Sequence, residues 1–186
     1  MNLLNDVWEG ERMNTLETIA KRKSTRSYKS EQISEEALSA IIKAGCAAPI
    51  ALAKYDSLHI TVVQDEGLIE EIFDRAREAV FAAIGVRKNL NYGAKTLIVV
   101  SSLPPHREGM DYANGGIVIE NMVLAATDLG IDSCIMGAPI SALAENAELS
   151  KLVGIPDGFT PVLGAVFGYA SEDEPAKEHT ITVNRV

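Results

Sequence analysis

Cysteine is scarce, with Cys46 and Cys134 the two in 186 residues, and they show neither CxxC spacing nor a neighbouring histidine pair. That excludes a disulfide framework and a zinc site of the usual kind, and both read as reduced core thiols. Basic residues are few, 17 against 26 acidic ones, and a net charge of −9 opposes broad contact with a phosphate backbone. Nucleic acid is therefore not an expected partner. No run approaches the ~18 apolar residues of a membrane span. The first residues, with Asp6, Glu9 and Glu11, lack the basic-then-apolar build of a signal peptide. The expectation is a cytoplasmic protein without a membrane partner. His59, His106 and His179 are scattered, no histidine or carboxylate recurs at metal-ligand spacing, and neither a Gly-x-Ser-x-Gly elbow nor a P-loop is present. Metal, hydrolase and nucleotide-triphosphatase chemistry lose their main supports.

What is present is an ordinary globular composition, 47% apolar and 23% charged, with no repeat or linker. One domain over residues 14–186 is expected, preceded by an extension, 1–13. Residues 14–21 predict a helix with Asn14 as N-cap, Glu17 closing a capping box, and Leu16, Ile19 and Ala20 as its buried stripe. A second helix starts at Ser34 and stops before Pro49. A strand at 59–63, an amphipathic helix at 68–84 and an interior strand at 96–100 follow. A nearly all-apolar helix at 115–129, opened by Gly115 and Gly116, leads to a strand at 133–136. Ser141 caps a helix to Val153, a strand occupies 161–169, and the tail 180–186 alternates weakly. About five strands and several helices predict a layered α+β fold with one sheet.

The most unusual local feature is the run Lys21-Arg22-Lys23-Ser24-Thr25-Arg26-Ser27-Tyr28-Lys29, five basic residues in nine positions of an acidic protein. Arginine forks and serine hydroxyls grip phosphates and polarised carbonyls. The same run also reads as a solvated helix end, its cations set against the negative pole of the dipole. Gly115-Gly116 offers free N–H groups to an anion if it opens a helix, or else close packing. Cys134-Ile135-Met136-Gly137-Ala138-Pro139 is a strand running into small residues, open to a flat ligand along its backbone or else a plain turn.

Together these features resemble the FMN-dependent nitroreductase family over nearly the whole chain after Met13. Arg22-Lys23-Ser24-Thr25-Arg26 is similar to its early Arg-x-Ser-x-Arg signature, and Ala48-Pro49 follows at the family's distance. Gly115 to Ala126 with Leu129 to Cys134 is similar to its central helix and the strand after it. Gly154-Ile155-Pro156 and Gly168-Tyr169 are similar to its closing segment. The resemblance implies a mainly antiparallel sheet flanked by helices, an intertwined homodimer with FMN at the interface, and NAD(P)H as electron donor to a small-molecule acceptor. It implies phosphate and ribityl binding by Arg22 and Ser24, beside Lys23, and Arg26 near the pyrimidine edge of the flavin. Pro49 belongs to the same cofactor site. Ile135, Met136, Gly137 and Ala138 would face the flavin, and Lys177 and His179 stand where the family often has a Lys-x-Arg pair. Histidine in that place makes the clamp sensitive to pH. The family commonly continues Ala-Pro with Ser, Asn and a Gln-Pro-Trp run, whereas Ile50-Ala51-Leu52-Ala53-Lys54-Tyr55-Asp56 stand here. Lys54 then supplies a positive charge to the flavin or is an exposed loop lysine. A flavoprotein that stores or senses FMN, and a module that binds no flavin, remain as alternatives to the reductase.

Overall fold

The structure, a computed structural model, describes residues 13–86, 89–172 and 174–186. The expected extension 1–13 lies, except for Met13, outside the described residues. Strands β1 (Leu58–Val63), β2 (Thr96–Ser102), β3 (Asp132–Met136) and β4 (Thr160–Gly168) form one antiparallel sheet in the order β1-β2-β4-β3. Strand β2 is central and buried at every position. Its uninterrupted apolar run follows from this: Leu97 and Val99 enter the core on one face, Ile98 and Val100 the core on the other. The alternation of a strand thus feeds two cores, so neither set of side chains is polar over residues 97–100.

One face carries α2 (Glu35–Cys46) and α4 (Met110–Asp128), the other α3 (Glu66–Ile84), α5 (Ala138–Ala144) and α6 (Ala147–Leu152). Helix α1 (Thr15–Lys21) touches α4. The predicted caps are present: Asn14 accepts from Leu16 and Glu17 in a full capping box, and Ser34 accepts from Ala37. Close backbone approach fixes one glycine. A Cβ at Gly164 on β4 would lie 2.7 Å from the Ile98 carbonyl oxygen on β2.

Five expectations are corrected. Four strands are described rather than about five, because the tail 180–186 forms no strand within its own chain and lies exposed. Leu16 and Ile19 of α1 are 77% and 51% exposed, and Thr18 is the buried residue, so the expected stripe faces outward. Helix α4 begins five residues before Gly115, after a left-handed Gly109, which leaves Gly115 and Gly116 inside the helix with no free N–H groups for an anion. Gly115 instead packs, since a Cβ there would meet Val162 Cγ2 at 2.9 Å. The helix expected over 141–153 is two, broken where Asn146 leaves helical geometry to cap α6 and accept from the Leu149 N–H. Cys46, expected in the core, is exposed at the end of α2, while Cys134 is buried.

Candidate functional site

After α1 the chain turns extended at Arg22 and is stitched along the sheet edge. Thr25 N–H donates to the Ser133 carbonyl at 2.9 Å, Ser24 bridges Ser133 in parallel, and Tyr28 bridges Ala170. Ser171 N–H donates to the Ser27 carbonyl at 3.0 Å and Lys29 N–H to the Tyr169 carbonyl at 2.8 Å. An extended segment sends alternate side chains to opposite sides. Lys23 and Thr25 both reach Asp132, at 3.7 and 3.0 Å. Arg22, Ser24 and Arg26 are the side chains whose charge or hydrogen bonding acts on Cys134.

This run forms one wall of a cavity of about 330 Å³. Arg22, Lys23, Ser24, Thr25, Arg26 and Ser27 line it from the early part of the chain, and Glu172, Glu174, Pro175, Lys177 and His179 from the late part. The structure thus brings together two basic groups, Arg22 to Arg26 and Lys177 with His179, that stand about 150 positions apart in sequence. Among the described residues no carboxylate pairs with Arg22 or Arg26; the Arg26 guanidinium donates to the Ser24 carbonyl at 3.2 Å. Two arginines with no carboxylate paired to them among the described residues, beside a polar cavity, make a place for an anion.

Beneath the wall lie two buried acids. Burial pushes the Cys134 thiol up, opposed by Arg26, the Ser24 hydroxyl and Arg22. Burial raises the Tyr28 phenol strongly, aided by Cys134 and Asp132, and its hydroxyl has no hydrogen-bond partner among the described residues. Both therefore stay neutral at ordinary pH.

The remaining predicted residues are divided. Ile135 on β3 is 40% exposed, and Gly137 is exposed where β3 runs directly into α5. Ala138 is half-buried, and the Met136 side chain belongs to the core, which leaves its backbone for any ligand. Pro49 and Lys54 do not line the basic cavity. Pro49 is exposed after α2, and Lys54 lines a second cavity of about 320 Å³ with His106, Asp111 and Asn114. A buried asparagine anchors that turn, for Asn114 Oδ1 accepts the Ala51 N–H at 3.2 Å, and Leu52 and Ala53 hold left-handed φ of 58° and 54°. A third, apolar groove of about 470 Å³ runs between α2 and β1, past Cys46, Ile50, Tyr55 and Leu58. The contacts of Asp132, Thr25 and Tyr28 escaped the sequence reading because their partners are distant in the chain. Among the described residues, no three His, Cys, Asp or Glu side chains gather to hold a metal ion, and no helix is long and apolar enough to cross a membrane.

Comparison with known proteins agrees on one lineage. The family model described as the nitroreductase family matches residues 19–169. A nitroreductase with bound FMN from Desulfitobacterium hafniense shares 30% identity over 93% of this chain and 100% of its own, with a TM-score of 0.81. A nitroreductase with bound FMN from Bacteroides fragilis shares 29% over 94% and 97%, with a TM-score of 0.79. An FMN-dependent nitroreductase from Clostridium difficile shares 27% over 93% and 99%, with a TM-score of 0.80. A search of curated proteins finds no match. With the basic run, the apolar central helix and the closing strand all inside the matched region, this chain belongs to the nitroreductase family.

Proposed function

We propose that the chain is an FMN-dependent oxidoreductase that passes electrons from NAD(P)H to a small flat acceptor such as a nitroaromatic or quinone. One observation carries the reading: the early basic run and the late Lys177 and His179 close on a single cavity in which two arginines have no carboxylate partner among the described residues. A phosphate fits such a donor set, and the relatives from D. hafniense and B. fragilis are described with bound FMN. Arg22, Ser24, Lys177 and His179 would hold the phosphate end, and Arg26 with the backbone from Ile135 to Ala138 would lie along the ring. FMN, when bound, supplies the electron-transfer chemistry. The chain's own part is to orient the cofactor, exclude water and place positive charge where electrons accumulate.

The polar cavity suits a phosphate and a ribityl chain better than a flat ring, so the ring needs further walls. A second copy of the chain supplies them in this reading, bringing Pro49 and Lys54 to a site at the interface of a homodimer. Three features support it. The outer edge of β1 has no strand partner among the described residues, the tail with Ile181 and Val183 is exposed, and Leu16 and Ile19 face outward. Edge strands left open in this way invite pairing.

The test is a visible spectrum of the purified protein with and without NAD(P)H, set beside Arg22→Ala and Arg26→Ala. The protein is expected to be yellow and to bleach with NADH or NADPH. Each substitution should weaken FMN retention by roughly 1.5–3 kcal/mol, about tenfold or more in affinity. Equal flavin content in variants and parent would remove these arginines from the site. The departure from the family's pattern at Ile50 to Asp56 favours a second reading, a protein that stores or senses FMN with little turnover; bound flavin that no nicotinamide bleaches would select it.

A further inference from the structure

The proposed function leaves Asp132 without a task, although it is a carboxylate in contact with the basic run. It opens β3, and its two oxygens are shared out. Oδ1 accepts the Thr25 hydroxyl at 3.0 Å and stands 3.7 Å from Lys23 Nζ, while Oδ2 accepts the Ala170 N–H at 3.2 Å. Lys23 Nζ donates onward to the Glu174 carbonyl at 2.7 Å. One short side chain therefore joins the basic run, the first residue of β3 and the chain leaving β4. That last segment goes on to Lys177 and His179, the far wall of the cavity. The Lys23 and Asp132 side chains are each 21% exposed, so the pair is mostly shielded from water and screened less than a surface pair.

Electrostatics alone argues against a carboxylate here. A negative charge beside an anion site repels the anion, and an uncharged residue would bind it better. A carboxylate in this place makes sense if what it holds outweighs what it repels. We propose that Asp132 is a positioning residue for the phosphate end of the site. It draws Lys23 and Thr25 to one side of the extended run and, through Ala170 and through Lys23 on the Glu174 carbonyl, fastens the approach to the opposite wall. Arg22, Ser24 and Arg26 are then preset on the other side, and their side-chain freedom is spent before the ligand arrives. This rests on the FMN reading, and the two are separable by experiment.

The substitution Asp132→Asn keeps the size and one acceptor oxygen but removes the charge. FMN and riboflavin affinities are measured by flavin fluorescence, and amide hydrogen exchange is followed over residues 170–179. Positioning of a phosphate site predicts FMN affinity lower by about tenfold, riboflavin affinity unchanged within about twofold, and faster exchange at 170–179. A general structural role moves both flavins equally, and a bystander charge gives tighter FMN binding; either result overturns the proposal. Thr25→Val, which removes one partner and no charge, should give the same pattern in smaller degree, and it decides the matter if Asp132→Asn does not fold. Should the parent bind neither flavin, the FMN reading fails, while exchange at 170–179 still judges the latch: rates equal in parent and variant refute it.

Discussion

Gly164→Ala is a direct trial of how tightly the sheet is built. The added Cβ would sit 2.7 Å from the Ile98 carbonyl oxygen and 2.5 Å from Ile140 Cδ1, whereas ordinary contact begins at 3.4 Å. Ile140 can turn its terminal methyl aside. The carbonyl cannot move alone, because it belongs to β2, which is paired through its length with β4. Relief requires the two central strands to part by about 0.7 Å, in an interior where a single methylene is felt. The cost is that of overpacking, ~2 kcal/mol. For a domain of this size that lowers Tm by about 4–8 °C. Gly115→Ala provides the contrast. Its nearest obstacle, Val162 Cγ2 at 2.9 Å, is a side-chain methyl, and alanine inside a helix recovers roughly 0.5–1 kcal/mol over glycine. That variant should stay within about 3 °C of the parent. Thermal unfolding by circular dichroism at one protein concentration measures both. If Gly164→Ala melts with the parent, or Gly115→Ala falls further than Gly164→Ala, the reasoning from contact distances is wrong.

Alkaline pH should destabilise the fold through its two buried acids. Burial lifts the Cys134 thiol and the Tyr28 phenol above their ordinary 9.0 and 10.0, so the native state keeps protons that the unfolded chain releases. Their contribution is full below pH 9 and declines as pH rises from there towards the raised native values. Cys134→Ala should shallow the first part of that decline in urea titrations at successive pH values, and an unchanged slope would refute it. A chain ending at Glu178 should run as a monomer in sedimentation velocity if the tail binds a partner's β1, and an undisturbed dimer would exclude the crossing strand. If one cleft serves donor and acceptor in turn, steady-state rates at several acceptor concentrations should give parallel double-reciprocal lines; intersecting lines would show both bound together.

The sheet was the most legible part of the sequence. Strand β2 announced itself as an unbroken apolar run, because burial on both faces removes the polar half of the alternation. Caps at Asn14 and Ser34 could be read because a cap is a contact within four residues. Helix α4 was placed too late because its first turns carry Asp111 and Asn114, polar residues buried or half-buried by the fold rather than by their own periodicity. The stripe of Leu16 and Ile19 had the right spacing and the wrong direction, for spacing cannot say what lies opposite. In the site, the basic run was visible as charge, and the family resemblance alone added Lys177 and His179 to it. Asp132 was invisible, since its partners come from positions 23, 25 and 170 and only the closed sheet makes them neighbours.

The strand order also dictates a schedule for the nascent chain. Strand β2 can pair with β1 as soon as both have left the ribosome, but its other neighbour, β4, ends at residue 168, and β3 joins the sheet solely through β4. Pairings over such separations are slow to form and leave apolar edges uncovered while they wait. The basic run is synthesised before any strand of the sheet, yet its anchors at Ser133 and Ala170 come late, so it waits for both before it can dock.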